Sequence, residues 1–183
     1  MTPLDIPGFA EDLLNSRVIL IGETHSVESR VNNKMHELVR DAVRKLVSEG
    51  RDITLGIEHL PRYTLPEERA INMLVNDGYS MLAETARPLI DKWPCLHLFF
   101  FGCTPALNRQ YANIIQANLR KDSVCVAIMG NNHLDPAQGV PAYLESDGRI
   151  MVIKQKPSER FPGKSFAIGG TPIYTLADSP LVI

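Results

Sequence analysis

A chain of 183 residues, 44% hydrophobic and 22% charged, has the balance of an ordinary soluble globular protein and is long enough to bury a core without disulfides or metals. Its formal charge of -2, with no Lys/Arg run longer than a pair, speaks against a nucleic-acid surface. Three cysteines without CxxC spacing exclude a disulfide framework and a thiolate zinc site, and no apolar run reaches the roughly 18 residues that a membrane span needs.

The first residues, MTPLDIPGFAEDLLNSR, show neither the basic n-region nor the apolar h-region of a Sec signal peptide. The expected location is therefore the cytoplasm, or a place reached without a Sec signal, such as a host cell into which the protein is injected. Val18 to Ile21, short, apolar and rich in β-branched residues, reads as a buried strand. Val27, Val31, Met35, Leu38, Val39, Ala42, Leu46 and Val47 then recur at three- and four-residue steps, which predicts an amphipathic helix that Gly50 ends at its C′ position. Ile53 to Ile57 is a second strand, so the three segments make a βαβ unit with parallel strands.

Pro66 to Asn76 and Tyr79 to Lys92 read as two shorter helices parted at Asp77-Gly78. Leu96 to Phe101 is a third strand, Ala106 to Arg120 a helix with Leu107, Tyr111, Ile114, Ile115 and Leu119 along one face, and Val124 to Met129 a fourth strand. GVPAYLES reads as one short helix, RIMVIKQ as a fifth strand, and Ile173 to Leu176 as a last strand in a Pro- and Gly-rich tail. The expected fold is a single α/β domain over residues 1–183, a mostly parallel β-sheet flanked by helices.

Parallel strands share one C-terminal edge, where open α/β folds place their ligands. That edge collects Glu23 and His25 from strand one, Glu58 and His59 from strand two, Cys103 and Thr104 from strand three, and Asn132 and His133 from strand four. GETH and GNNH are both Gly-x-x-His directly after a buried strand; the glycine tolerates a tight turn there, and the histidine can point back over the edge. A histidine held by a carboxylate is a general base at physiological pH, so Glu23, His25, Glu58 and His133 are the candidate catalytic residues, with His25 backed by Glu23 or Glu58. The same groups allow a 2-His-1-carboxylate metal site of His25, Glu58 and His133. Either use ends in activated water acting on a small-molecule or peptide substrate.

These motifs, with LGIEHLP after the second strand and above all MGNNHLDPAQGVPAYL, resemble the superfamily that joins ChaN-type haem-binding proteins, erythromycin esterases, and TraB and Tiki proteins. The resemblance runs from about Arg17 to Leu144, and Gly-Val-Pro is most like the ChaN branch. It implies an α/β fold with one pocket at the strand ends, where Glu23, His25, Glu58 and His133 match the functional positions. The branches imply different chemistry: metal-independent attack of water on a lactone in the esterases, a divalent metal for peptide cleavage in the Tiki proteins, haem binding in ChaN. The cofactor is therefore open between none, a divalent metal and haem. The esterases use an arginine soon after the GExH motif, which points to Arg30, with Lys34 next; Arg30 and Asn132 are the expected substrate-binding residues. Two features depart from the pattern: the absent signal peptide or lipobox sets the chain apart from ChaN, and the esterases are considerably larger. Effectors that bacteria inject into host cells also share this fold.

The other conspicuous residues have plainer readings. His59 follows Glu58 directly, so its ring faces away if that carboxylate faces the pocket. His97 and Phe99 to Phe101 read as core, His36 as a solvent-facing helix residue, and Cys103 as an inert thiol before a nucleophile. The five tyrosines, any of which suits haem iron, are not ranked by the sequence.

Overall fold

In the computed structural model, which describes residues 6–23, 34–58, 67–76, 82–87, 97–100, 108–145, 149–156, 163–166 and 171–177, the apolar run after Arg17 becomes β1 (Val18–Glu23), with all six residues buried. Ahead of it lies α1 (Phe9–Asn15) and after it α2 (Lys34–Ser48), β2 (Asp52–Ile57), α3 (Glu67–Asn76), β3 (His97–Phe100), α4 (Asn108–Asn118) and β4 (Ser123–Gly130). Residues 82–87 are also helical. Two 3₁₀ turns (Asn131–Leu134 and Val140–Tyr143), then β5 (Ile150–Lys156), β6 (Gly163–Phe166) and β7 (Pro172–Ala177), complete the order.

The strands form one sheet in the order β3-β2-β4-β1-β5-β7-β6. Every neighbouring pair is parallel except β6 with β7. β1 through β4 therefore end at a common rim, with β4 between β1 and β2. This is the α/β, mostly parallel architecture expected from the sequence.

The pleat sorts the core into two layers. Ile19 and Ile21 of β1, with Ile53, Leu55 and Ile57 of β2, pack on the side of Leu38, Val39, Ala42 and Leu46 of α2. Val18 and Leu20 of β1, with Cys125, Ala127 and Met129 of β4, pack on the side of Tyr111, Ala112 and Ile115 of α4. Odd residues of β1 thus face α2, and so do even residues of β4, its register neighbour (Ile19↔Val126).

Gly50 has φ 73° and ends α2 as anticipated: left-handed backbone at C′ lets Arg51 N–H return to the Leu46 carbonyl at 3.0 Å. Val27 and Val31, read as the start of that helix, lie outside the described residues. Two elements went unanticipated. α1 spans seven residues, too short to show a periodicity, and β6 (GKSF) has no apolar alternation; its antiparallel pairing with β7 makes it a strand. Among the described residues no helix is long and apolar enough to cross a membrane.

Cys125 sits fully buried in β4, opposite Thr54 of β2. Burial pushes its thiol from the ordinary 9.0 up to about 12, the Thr54 hydroxyl pulling the other way; among the described residues that hydroxyl has no oxygen or nitrogen partner. The folded thiol keeps its proton to higher pH than the unfolded one. Its contribution to stability is therefore intact below about pH 9 and is lost as pH rises towards about 12. An alkylating reagent at neutral pH is expected to label Cys125 only on unfolding, as read by peptide mass spectrometry; labelling of the native protein would contradict this burial.

Candidate active site

The rim is furnished by strand ends and also by the first turns of the helices that follow strands, because a βα crossover starts its helix at the C-terminal edge. Glu58 directly follows β2, on the α4 side of the sheet. Its backbone N–H donates to the Ile128 carbonyl at 2.9 Å, which extends the ladder by one residue and fixes where the side chain leaves it. Oε2 accepts from the Gly130 N–H at 2.6 Å and Oε1 from the Tyr111 hydroxyl at 3.2 Å. His133 brings Nε2 to 3.2 Å from the same Oε1. Its ring lies against that of Tyr111, the centroids 4.9 Å apart.

The far side of the ring is equally well defined. His133 Nδ1 lies 2.7 Å from Asn108 Oδ1, while Asn108 Nδ2 donates to the Gln138 carbonyl at 2.8 Å. A carbonyl only accepts, so the amide must turn its nitrogen to Gln138 and its oxygen to the ring, which puts a hydrogen on Nδ1. Nε2 therefore faces the carboxylate at an ion-pair distance of 3.2 Å, with both Glu58 oxygens also accepting from Gly130 and Tyr111. Glu58 is 7% exposed, whereas the His133 side chain is 18% exposed, so the ring is the member of the pair that reaches the surface.

The loop that supplies Gln138 is built for the purpose. Asp135 Oδ1 accepts from the Ala137 and Gln138 amides at 2.8 and 3.1 Å, and the Gly139 amide donates to the Asp135 carbonyl at 2.7 Å. A Cβ on Gly139 would fall 2.5 Å from the Asp135 backbone. The glycine of the Gly-Val-Pro motif is thus there for close backbone approach.

Gly22 plays a similar part. It lies inside β1, paired with Met129, and not in a turn as the sequence suggested. A Cβ on it would lie 2.6 Å from Leu134 Cδ1 and collide with Asn131 Oδ1. Asn131 fills that space with a two-way bond to β5: its Nδ2 donates to the Gln155 carbonyl at 2.7 Å and its Oδ1 accepts from the Gln155 amide at 3.1 Å. Gly22 therefore admits the turn that carries His133. Asn132, next along that turn, is exposed.

Glu23 faces the other layer, where its Oε2 lies 2.8 Å from His36 Nε2 in the first turn of α2. Both are buried, at 4% and 1% exposure. The solvent-facing reading of His36 is corrected: position 36 shares a ridge with the buried Val39 and Val43, and the helix start brings it to the end of β1. Of the four candidate catalytic residues the structure joins Glu58 to His133, and it sets Glu23 with His36 on the opposite face. His25 and Arg30 lie outside the described residues, as do His59, Cys103, Thr104 and the side chains of Lys34, His97 and Phe99 to Phe101. Among the described residues no three His, Cys, Asp or Glu side chains converge as a metal's donor set, so they do not by themselves fit a divalent ion.

Asn108, Tyr111 and His36 were missed as site residues for one reason. The sequence reading assembled the rim from strand ends alone, whereas each of these stands in the first turn of a helix that follows a strand. For Asn108 the available signal is its spacing: with Tyr111 it makes an i, i+3 pair at the start of α4.

No family model matches the chain, and no curated protein matches it in sequence. Among solved structures its fold is similar to that of the type III effector HopBA1, with a TM-score of 0.54 at 11% identity over 89% of this chain and 88% of that one. It is likewise similar to ChaN of Campylobacter jejuni, described for cofacial haem binding, with a TM-score of 0.54 at 13% identity over 92% and 91% of the two chains. A match to RRSP, a MARTX toxin effector domain from Vibrio vulnificus CMCP6, has a TM-score of 0.43 at 16% identity and covers 95% of this chain and 37% of that one. At these identities the likeness is one of fold.

Proposed function

We propose that the chain is one α/β domain whose strand-end rim hydrolyses a small-molecule or peptide substrate. The observation that carries this reading is the Glu58–His133 pair, at 3.2 Å, with Nδ1 of the ring tied to Asn108: an imidazole held in one orientation beside a buried carboxylate, at the edge where α/β folds act. In the reaction, His25, two residues beyond Glu23, takes a proton from water as the oxygen attacks a carbonyl carbon. Negative charge develops on the carbonyl oxygen and is stabilised by His133. As the intermediate collapses, the bond to the leaving group breaks and His25 returns the proton to that group. Arg30 and Asn132 bind the substrate.

The test is hydrolysis of a panel of esters, lactones and peptides. His25→Ala and His133→Ala are each expected to lower kcat/KM by roughly 10²–10⁴-fold, and His133→Ala, which also strips Glu58 and Asn108 of a partner, to cost about 1–3 kcal/mol of stability. Wild-type turnover by either variant on a substrate the parent cleaves would end the proposal. The fold shared with a haem-binding ChaN supports a second reading, a protein that holds haem and turns nothing over. It requires a Soret band on mixing micromolar protein with haemin, and a spectrum of free haemin would remove it. The fold shared with HopBA1 supports action in a host cell as an alternative to the cytoplasm.

A further inference from the structure

α2 packs on the sheet through Met35, Leu38, Val39, Ala42, Val43 and Leu46, all apolar and buried. Among the described residues His36 is the only buried polar side chain of this helix. An apolar stripe holds a helix to a sheet without fixing its place along its own axis, because burial is non-directional and the ridges repeat with every turn, about 5.4 Å. The hydrogen bond between His36 Nε2 and Glu23 Oε2, at 2.8 Å, is directional and does not survive such a slide. Stability does not account for it, since a carboxylate and an imidazole cost more to bury than two apolar side chains of similar volume.

Glu23 stands where position matters. It is the last residue of β1, paired with Gly130 of β4, whose N–H donates to Glu58. On its other side Gln155 of β5 lies two residues beyond Ile153, the register partner of Ile21, and its backbone is held by Asn131 in the turn that carries His133. The strand end that receives α2 thus lies between a support of Glu58 and a support of His133. We infer that the Glu23–His36 pair sets the register of α2 on the sheet, with His36 a positioning residue that acts on the rim through Glu23. This rests on the hydrolase reading only for its effect on turnover; the register of the helix is independent of any substrate.

The experiment compares Glu23→Leu, His36→Leu, the double leucine variant and His36→Gln, in the full chain, by denaturant melts and by ¹H–¹⁵N NMR of the α2 amides. Each single leucine breaks a buried pair from one side and is expected to raise the unfolding equilibrium constant by roughly 10²–10³-fold. The double variant buries neither polar group and is expected to return to within about tenfold of the wild type. Its α2 amides are nevertheless expected to give several signals each, the mark of more than one docked position. The wild type and His36→Gln, whose amide still donates to Glu23, are expected to give one each. A double variant no more stable than its singles, one whose α2 keeps a single set of signals, or a His36→Gln that melts with His36→Leu overturns the inference. Should the pattern hold in a protein that hydrolyses nothing, the register role stands and the hydrolase reading falls. Should hydrolysis be found, His36→Leu is expected to lower kcat by roughly 10²-fold with KM little changed, and His36→Gln to restore part of it.

Discussion

Replacing Gly22 by alanine, the smallest possible addition, is expected to cost about 3 kcal/mol of stability and to lower the thermal midpoint by roughly 6–12 °C. The added methyl has no free space. It meets Leu134 Cδ1 at 2.6 Å and displaces the Asn131 side chain, so an overpacking term of about 1–3 kcal/mol is joined by the loss of Asn131's two bonds to Gln155, each worth about 0.5–1.5 kcal/mol. The consequence passes from packing to chemistry, because the turn that must give way carries His133. The partner change Leu134→Ala opens room beside Gly22. Denaturant melts of the two single variants and the double are therefore expected to show a double loss smaller than the sum of the singles. An unchanged midpoint for Gly22→Ala would mean that the turn is not seated on β1 as described.

Glu58→Gln is expected to cost about 1–3 kcal/mol of stability and, on the proposed hydrolysis, to lower kcat/KM by roughly 10²–10³-fold. The amide matches the carboxylate in shape but not in hydrogen-bonding capacity. Two donors converge on Glu58, the Gly130 N–H and the Tyr111 O–H, with His133 Nε2 3.2 Å from Oε1. Glutamine offers one accepting oxygen: turned to the Gly130 N–H, it presents its NH₂ to the Tyr111 hydroxyl, which must reverse and accept, and it gives His133 no carboxylate to face. Glu58→Leu, which accepts from none of them, is expected to be worse, about 3–5 kcal/mol. The diagnostic variant is Glu58→Gln/Tyr111→Phe. In that orientation the tyrosine hydroxyl is the acceptor for the glutamine NH₂, so the double is expected to be less stable than Glu58→Gln alone. If Glu58→Gln melts with the wild type, its partners do not depend on a carboxylate and the site loses its anchor.

Much of this arrangement was legible from residue pattern, and the remainder was hidden for physical reasons. The apolar runs located β1, β2, β4 and β5, and two Gly-x-x-His motifs following strands directed attention to the rim, since hydrophobic period and strand-end polarity are local properties. Glu58 and His133, 75 positions apart in the sequence, are neighbours because β2 and β4 are. Strand order is not local, and neither is the face on which a strand-end residue emerges. Register sends Glu58 to the α4 side and Glu23 to the α2 side, a distinction that one residue of slippage would reverse. Gly22 was misread as a turn former because a strand-end glycine suggests backbone freedom, when the pressure on it comes from Leu134 and Asn131, more than a hundred residues later. His36 was taken for a surface residue because helical periodicity ranks it beside the stripe; its partner, Glu23, exists only once β1 and α2 are docked.

The hydrogen bond from the Gly130 amide to Glu58 Oε2 has one more consequence. This amide, at the last residue of β4, is held by a side chain and not by a strand, so its rate of exchange with solvent deuterium reports on the carboxylate. The neighbouring amides exchange only when the ladder opens, whereas Gly130 is freed whenever Glu58 swings towards another partner. A bound molecule that draws Glu58 away would leave its mark as faster exchange at a single backbone position in an otherwise protected strand.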